Sequence, residues 1–232
     1  MTNFAFDVDG TLTDSRRIID PAFKEFFLNF TKENTVYLVT GSDYPKTLEQ
    51  VGDEILNSVE AVFCCCGNAE YRKGQLISQS DFKVNDQLRS FFLEMMNESQ
   101  FYPKTGNHIE ERIGMVNFSI VGRNATLEDR QDYIIWDKMT YEREIIKSCI
   151  EDRFDELEVT LGGETGLDIY PKGKDKSQVA DLISPFIFFG DRIEEGGNDL
   201  TIAQKATIHY NVSGWKDTYS ILKEKYTNGK CE

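Results

Sequence analysis

Phe4-Ala5-Phe6-Asp7-Val8-Asp9-Gly10-Thr11-Leu12-Thr13 is the stretch that decides the fold of this chain. Its alternating apolar residues predict a short buried strand over residues 4–8, and that strand ends in two carboxylates. Side chains alternate between the faces of a strand, but Gly10 permits a sharp turn that brings Asp9 beside Asp7. Two carboxylates this close repel each other, so either one of them takes up a proton or a cation lies between them, and oxygen ligands suit Mg2+. An isolated D-x-D-G also fits a strand end whose carboxylates merely cap a turn, so the rest of the chain has to decide.

The composition excludes several classes of partner. The 232 residues carry a formal net charge of −14, from 40 acidic and 26 basic side chains. Nucleic acids and anionic membranes repel such a charge, so neither is expected as a partner. No apolar run approaches the about 18 residues of a membrane span, and no basic-then-apolar leader precedes the first strand. We therefore expect a cytoplasmic protein whose five cysteines, Cys64-Cys65-Cys66 among them, are reduced.

Strands and helices alternate at both ends of the chain. In the first part, the spacing of apolar residues predicts a helix over Pro21–Glu33 capped by Asp20, a strand over 36–39, a helix over 45–56 and a strand over 59–66. In the last part it predicts a helix over 174–183, a strand over 185–189, a strand over 207–212 and a helix over 215–226. This alternation is typical of a parallel sheet covered by helices, whose ligands lie beyond the carboxyl ends of the strands.

The middle of the chain has a different character. Its apolar spacing predicts a helix over 84–96, followed by strands over 108–112 and 115–121. It then predicts helices over 126–137 and 141–154 and strands over 158–161 and 167–170. Consecutive strands followed by helices are typical of an α+β unit with an antiparallel sheet. We therefore predict an α/β protein with a Rossmann-like parallel-sheet core domain over 1–80 and 171–232. An α+β cap domain over 81–170 is inserted into it.

Further polar residues follow the predicted core strands. Asp191 follows the strand over 185–189, and the turn Gly196-Gly197-Asn198-Asp199 comes shortly after it. Glycines let such a turn return polar side chains to the same edge of the sheet. The predicted Mg2+ ligands are Asp7, Asp9 and Asp191. Asn198 and Asp199 are expected as further ligands or as orienting partners.

Two more features suit a phosphate. Thr40 and Ser42 follow the second strand at the start of a helix, where hydroxyl and backbone N–H groups bind phosphate oxygens. Lys176, in the first turn of a later helix, could reach both a phosphate and the carboxylates. Each feature alone also fits a plain turn or a solvated lysine, so only the ordered set is specific.

The ordered set consists of D-x-D-G-T, then Thr/Ser, then Lys, then G-D with G-G-N-D. This set resembles the haloacid dehalogenase superfamily of phosphatases and phosphomutases. The resemblance implies that Asp7 attacks phosphorus and forms an aspartyl phosphate. Asp9 would protonate the leaving oxygen and later activate the acceptor, with Lys176 beside them. Mg2+ would neutralise charge on the transferring group.

Longer patterns are similar to eukaryotic-type phosphomannomutases. They are D-V-D-G-T-L-T-x-x-R over 7–16, Gly41-Ser42-Asp43 with Lys46, Glu49, Gln50 and Gly52, R-x-G-M-x-N-x-S-x-x-G-R over 112–123, and residues 188–199. The family's substrate residues map onto Arg16, Arg112, Arg123, Arg130 and Asp168, and Thr126 is expected to cap the helix that carries Arg130.

The resemblance also implies an activity. It is the interconversion of mannose 6-phosphate and mannose 1-phosphate, the latter feeding GDP-mannose synthesis, with a hexose bisphosphate as activator and a homodimer formed through the cap domain. The cap arginines would grip the distal phosphate while Asp7 transfers the other one. The sugar would reverse between the two half-reactions.

Three positions depart from the family pattern. Gly166 stands where the family has a substrate-binding serine, Cys66 replaces an asparagine, and Thr40 replaces a glycine where many sugar phosphatases have threonine. The alternative function is therefore a sugar-phosphate phosphatase that transfers the phosphoryl group to water. A third hypothesis, an inactive sugar-phosphate binder, is disfavoured because the chain keeps Asp7, Asp9, Lys176 and Asp191 together.

Overall fold

The computed structural model describes residues 3–227 of the chain. Its strands are β1 (Asn3–Phe6), β2 (Thr35–Val39), β3 (Ala61–Cys64), β4 (Ala69–Arg72), β5 (Gln75–Gln79), β6 (Ile109–Arg112), β7 (Met115–Phe118), β8 (Leu157–Gly162), β9 (Gly166–Pro171), β10 (Phe186–Gly190) and β11 (Ile208–Asn211). Its α-helices are α1 (Pro21–Glu33), α2 (Tyr44–Val51), α3 (Asp53–Ser58), α4 (Asp86–Glu98), α5 (Leu127–Thr140), α6 (Glu142–Arg153), α7 (Ala180–Ile183), α8 (Leu200–Lys205) and α9 (Trp215–Leu222). None of the helices within 3–227 is long and apolar enough to cross a bilayer.

The chain divides into two compact units. The core unit holds the described residues up to Gln79, Lys174–Glu195 and those from Asp199 onward, and the insert unit holds Ser80–Gly173 with Gly196–Asn198. The core unit has a seven-stranded sheet of order β11-β10-β1-β2-β3-β4-β5, and the insert unit has a separate sheet of order β6-β7-β9-β8. In this core sheet β11, β10, β1, β2 and β3 run parallel to one another. Strands β4 and β5 extend the sheet beyond β3 as an antiparallel hairpin. The predicted combination of a parallel-sheet core and an α+β insertion is confirmed.

Strand β1 lies in the middle of the core sheet and is buried on both faces. The Phe6 ring lies 5.2 Å from Phe27 of α1 and 4.9 Å from Phe189 of β10. On the opposite face, Ala5 belongs to an apolar cluster with Ile183 of α7 and Ala203 of α8. Burial on both faces is the rule for central parallel strands, and it fixes where the residue after the strand emerges. That residue is Asp7.

The structure differs from the sequence-based elements at four places in the core unit. The helix predicted over 45–56 is interrupted by Gly52, whose φ of 81° ends α2 and starts α3. The strand predicted over 59–66 ends at Cys64, because Cys65 and Cys66 adopt left-handed φ angles of 51° and 60°. The helix predicted over 174–183 begins as a 3₁₀ turn over Lys176–Val179, and α8 was not predicted at all.

The insert sheet is antiparallel throughout and has one apolar and one polar face. Val116, Phe118 and Ile169 pack into a core formed with α4, α5 and α6, and the Phe118 ring stacks on Phe92 at 4.6 Å. Because strand side chains alternate, the residues between them face the other way. Cross-strand partners in that second set are Glu110 with Asn117 and Asn117 with Asp168. A row of polar side chains therefore crosses the face that the helices do not cover.

Candidate functional site

Three carboxylates converge at the carboxyl edge of the core sheet. Asp7 follows β1 and its N–H donates to the carbonyl of Phe189 at 2.9 Å, while Asp191 follows β10 and Asp199 precedes α8. One side-chain oxygen from each of Asp7, Asp191 and Asp199 lies within 4.8 Å of the other two. Residues far apart in the sequence thus form one acidic cluster, called here the aspartate cluster.

Two glycines make this convergence possible. Gly10 has a φ of 80°, and a Cβ at this position would collide with the Asp191 carboxylate. A Cβ on Gly190 would lie 2.6 Å from Oδ2 of Asp199. Both positions therefore need glycine because a carboxylate occupies the space of a side chain.

Lys176 provides positive charge inside the aspartate cluster. Its Nζ donates to Oδ1 of Asp7 at 2.6 Å and to Oδ1 of Asp199 at 2.7 Å, and the residue is fully buried. Asp175 caps the turn by accepting from the N–H of Ser177 at 3.0 Å. Burial disfavours the ammonium, yet the carboxylates of Asp199 and Asp7 raise the pKa of Lys176 above its usual value. Lys176 is therefore a permanent cation at this site.

The aspartate cluster does not tolerate full ionisation of its three carboxylates without a further cation. Burial raises the pKa of Asp7 well above its ordinary value, and Asp199 and Asp191 add to the rise although Lys176 opposes it. Burial also raises the pKa of Asp191 to about 7, with repulsion from Asp199 as the next cause. Three carboxylates against one ammonium, all offering hard oxygen donors, fit a divalent ion such as Mg2+, which would restore the ionised forms.

Asp9 lies outside this group of three and has its own set of donors. Its Oδ1 accepts from the N–H of Arg16 and from Nε2 of Gln50, both at 2.8 Å. Its Oδ2 accepts from Oγ of Ser42 at 3.2 Å and from Nζ of Lys46 at 3.1 Å. Although burial opposes ionisation, Lys46 and these hydrogen bonds hold the pKa of Asp9 below its usual range. Asp9 is an oriented, ionised carboxylate, and a role as metal ligand stays a prediction for it and for Asn198.

The other predicted core residues surround Asp9. Oγ1 of Thr40 accepts from the N–H of Ser42 at 3.1 Å, and Ser42 in turn contacts Asp9. Arg16 reaches Asp9 through its backbone, at a left-handed φ of 59°, and the residue is exposed. The structure therefore brings Thr40, Ser42 and Arg16 to Asp9. Their contacts with a substrate remain predictions.

In the insert unit, two of the predicted arginines share one carboxylate. Nε of Arg112 donates to Oε1 of Glu110 at 2.7 Å, and Nε of Arg123 lies 2.5 Å from Oε2 of the same residue. Burial opposes ionisation of Glu110, but Arg112 and Arg123 hold its pKa below the usual range. Glu110 therefore bridges the two guanidinium groups as an anion.

Asp168 joins the same polar face, and Arg130 is a buried residue of α5. Oδ1 of Asp168 accepts from Nδ2 of Asn117 at 2.7 Å and lies 4.0 Å from Nη1 of Arg112. Arg130 is buried on α5, whose first turn is closed by a capping box of Thr126 and Asp129. The predicted cap by Thr126 is confirmed, and the substrate role of Arg130 stays a prediction.

Four residues that the structure places at these centres were given no site role from the sequence: Glu110 and, although they stand in the family patterns quoted above, Lys46, Gln50 and Asn117. Lys46 and Gln50 are four positions apart on α2, and Glu110 and Arg112 are two positions apart on β6. These spacings put each pair on one face of its element, which was the available signal. Only the tertiary fold shows that Asp9 receives the first pair.

Comparison with known proteins supports one family. The family model described as eukaryotic phosphomannomutase matches residues 23–228. A phosphomannomutase of Dendrobium officinale is 35% identical over 230 residues, covering 94% of this chain and 91% of that protein. A phosphomannomutase of Triticum aestivum is 34% identical over 230 residues, with 94% and 92% covered.

A solved structure agrees at the level of the fold. A haloacid dehalogenase-like hydrolase from Bacteroides thetaiotaomicron superposes with a TM-score of 0.56 at 14% identity, covering 88% of this chain and 85% of that one. The predicted fold is thereby confirmed, while the family itself is shown by the sequence matches. Because the family model and both plant relatives span most of its length, the chain belongs to the eukaryotic phosphomannomutase family.

Proposed function

We propose that the chain interconverts mannose 6-phosphate and mannose 1-phosphate through an aspartyl phosphate formed on Asp7. The observation that carries this proposal is the fully buried Lys176, bonded to Asp7 and Asp199 beside a third carboxylate. Burying such a cluster costs free energy, and its place at the carboxyl ends of parallel strands is typical of a catalytic centre. The two plant relatives, of whose length this chain covers 91% and 92%, carry the name phosphomannomutase.

The proposed reaction divides the work between two carboxylates. A carboxylate oxygen of Asp7 attacks phosphorus, and the bond between phosphorus and the sugar oxygen breaks. Asp9, ionised in the free chain, has to take up a proton before transfer begins and gives that proton to the departing oxygen. In the second half-reaction it regains a proton from the hydroxyl that attacks the aspartyl phosphate. Lys46 and Gln50 orient Asp9 for this role, and Lys176 offsets negative charge as the phosphoryl group moves.

We propose Mg2+ as the cofactor, held by Asp7, Asp191 and Asp199, with Asp9 and Asn198 as further ligands. The all-oxygen donor set and the raised pKa values of Asp7 and Asp191 support this choice. When bound, the ion would supply charge neutralisation for the transferring phosphoryl group.

We propose that the insert unit acts as the cap domain, over the predicted range 81–170, and supplies the second phosphate site. A hexose phosphorylated at both ends needs one site for transfer and another for the end that waits. Arg112, Arg123 and Arg130 would bind the waiting phosphate, with Asp168 and Arg16 on the sugar. The same requirement implies a hexose bisphosphate as activator.

The alternative function, hydrolysis of a sugar phosphate, rests on two positions. Thr40 stands where a threonine is typical of sugar phosphatases, and Gly166 lacks the hydroxyl expected in the mutases. Neither changes the aspartate cluster, so both functions share the first half-reaction. They differ in whether a sugar hydroxyl or water takes the phosphoryl group.

A product assay separates these functions. The purified chain is incubated with Mg2+, mannose 1-phosphate and a trace of hexose 1,6-bisphosphate while mannose 6-phosphate and free phosphate are measured. We expect mannose 6-phosphate without stoichiometric phosphate, dependence on the bisphosphate, and loss of activity when a chelator removes the metal. Phosphate release that needs no bisphosphate would establish the phosphatase instead, and binding without either product would indicate an inactive binder.

We propose a homodimer formed through the insert unit. Leu127, Ile135 and Met139 lie at intervals of four or eight residues on α5, so they share one helix face, and they are 83%, 51% and 76% exposed. Tyr141 and Ile145, at the start of α6, are exposed as well. Exposed apolar side chains concentrated on one surface are typical of a protein interface.

The dimer is tested by charge on that surface. We expect the Met139→Asp variant to sediment as a monomer where the parent sediments as a dimer, because an interface does not tolerate an unpaired buried charge. The matched control is Leu182→Asp, at a residue of the core unit that is 68% exposed. A dimeric Met139→Asp variant, or a monomeric parent, would refute the proposed interface.

We further propose a cytoplasmic enzyme whose mannose 1-phosphate serves GDP-mannose synthesis. Cys64, Cys65, Cys66 and Cys149 are free thiols in the structure, and Cys231 lies outside the described residues. Reduced thiols suit a reducing compartment. The measurement is fractionation of cells, in which recovery of the chain with the membrane or secreted fraction would count against it.

A further inference from the structure

Five side chains on the polar face of the insert sheet form a closed ring. Starting from Glu110, the ring passes through Arg112, Asp168, Asn117 and Arg123 back to Glu110. Glu110 Oε1 lies 2.7 Å from Nε of Arg112, whose Nη1 lies 4.0 Å from Oδ1 of Asp168. The same Asp168 oxygen lies 2.7 Å from Nδ2 of Asn117. Asn117 Oδ1 lies 3.5 Å from Nη1 of Arg123, whose Nε lies 2.5 Å from Oε2 of Glu110. We call these five residues the arginine ring.

The arginine ring is electrically balanced. Arg112 and Arg123 contribute two positive charges, and Glu110 and Asp168 contribute two negative ones. The chain as a whole is strongly acidic, so a phosphate gains little from long-range attraction to this unit. An anion must instead be bound by direct, well-placed hydrogen bonds from the guanidinium groups. Their placement therefore matters more than their charge.

Glu110 is placed to control the spacing of the two guanidinium groups. One of its carboxylate oxygens accepts from Nε of Arg112 and the other contacts Nε of Arg123. Each arginine is therefore held at Nε, the guanidinium nitrogen nearest the main chain. Two neighbouring cations would otherwise repel each other and sample many rotamers. One tetrahedral anion can contact both groups when a shared carboxylate holds them side by side.

Asn117 closes the other side of the ring and fills the space beside Gly166. A Cβ on Gly166 would lie 2.7 Å from Nδ2 and 3.1 Å from Oδ1 of Asn117. With the carboxamide as it lies here, a side chain at residue 166 would fit only after Asn117 shifts. In this chain, Asn117 supplies the polar group at that point and links Asp168 to Arg123.

We propose that Glu110 and Asn117 are positioning residues that hold Arg112 and Arg123 as one receptor for a phosphate monoester. The identity of the monoester as mannose 1-phosphate rests on the proposed function, whereas the ring itself rests on the contacts above. Neither residue takes part in bond making. Both act through the arginines.

Binding is measured by calorimetry with mannose 1-phosphate in the chain that carries Asp7→Asn, without divalent metal, so that turnover does not interfere. We expect Glu110→Gln and Asn117→Ala each to weaken binding about 10- to 100-fold, the range for lost hydrogen bonds to charged groups. The matched control is Glu111→Gln, because Glu111 is the next residue, is exposed and pairs with Arg89 at the surface. The control is expected to bind within about twofold of the parent.

The double variant tests the ring as a unit. Either single change already opens the ring, so Glu110→Gln with Asn117→Ala is expected to bind within about threefold of the weaker single variant. Independent contributions would multiply instead, and that result would overturn the ring. Binding by Glu110→Gln within twofold of the parent, or a parent that does not bind mannose 1-phosphate, would overturn the proposal as well. Glu110→Gln keeps the shape of the side chain, so it decides the question even if Asn117→Ala does not fold.

Kinetics separate positioning from a general structural role. With Asp7 intact, Glu110→Gln is expected to raise KM about tenfold while kcat stays within about threefold, because the ring binds the end that does not react. A loss confined to kcat would contradict this. The two proposals fail independently: an inactive parent that binds mannose 1-phosphate refutes only the mutase, and unchanged binding by Glu110→Gln refutes only the ring.

Discussion

The Lys176→Met variant is expected to lose both stability and activity. Lys176 is fully buried between Asp7 and Asp199, so its removal leaves buried carboxylates without their cation. Breaking such a pair from one side costs about 3–5 kcal/mol of the free energy of unfolding. Activity is expected to fall about 1,000-fold, because a preorganised charge at the reaction centre is lost.

The loss of stability is expected to depend on pH. The folded-state pKa values of Asp7 and Asp191 are already raised, so their folded forms bind protons more tightly than the unfolded chain does. Stability associated with those protons is present at low pH and is lost as pH rises towards and through about 7, the pKa of Asp191. Without the ammonium, which lowers both carboxyl pKa values, the decline continues to higher pH, so Lys176→Met suffers least in acid.

Urea unfolding in metal-free buffer at several pH values measures the effect. The control is Lys174→Met, which makes the same change at an exposed lysine two residues earlier. Equal free energies of unfolding for the two variants at neutral pH would show that Lys176 is not a structural part of the aspartate cluster. The roles given to Lys176 would then have to be withdrawn.

The Asp7→Asn variant is expected to lose about 10,000-fold or more of its activity while remaining folded. An amide oxygen does not form the acyl phosphate, so the first half-reaction has no nucleophile. The change also removes one of three crowded carboxylates, which relieves repulsion with Asp191 and Asp199 and offsets the weakened bond to Lys176. We therefore expect little change in melting temperature.

Turnover in the mutase assay and thermal melting are measured on the same preparation. The matched control is Asp14→Asn, at an exposed residue of the loop that follows Asp9. This control is expected to keep nearly full activity. Turnover by Asp7→Asn at more than about a hundredth of the parent rate would mean that another group attacks phosphorus.

Much of the core could be predicted because its signals are local. The apolar strand before Asp7, the Asp20 cap of α1 and the strand before Asp191 depend on neighbouring residues, and the structure contains all three. By contrast, the break between α2 and α3 depends on the positive φ of Gly52, which apolar spacing does not register. Helix α8 has only six residues, too few for a periodic pattern.

The residues missed at the site share one physical reason. A lysine or glutamine on a helix surface looks solvated unless its partner is known. The partner of both Lys46 and Gln50 is Asp9, which is 37 and 41 positions away from them in the sequence. Glu110 likewise gains its meaning only when β6 and the loop after β7 bring Arg112 and Arg123 together. Charge pairs that are distant in sequence are determined by tertiary structure, so their residue types are visible in the sequence but their partners are not.

The central claim is that Asp7 carries the phosphoryl group between the two half-reactions. The direct measurement is to mix the chain with Mg2+ and hexose 1,6-bisphosphate, quench in acid within the first turnover, and locate added phosphate by peptide mass spectrometry. The account predicts one phosphoryl group on the peptide that contains Asp7, absent from the Asp7→Asn variant. Phosphate on a different residue, or steady turnover with no phosphorylated peptide, would contradict it.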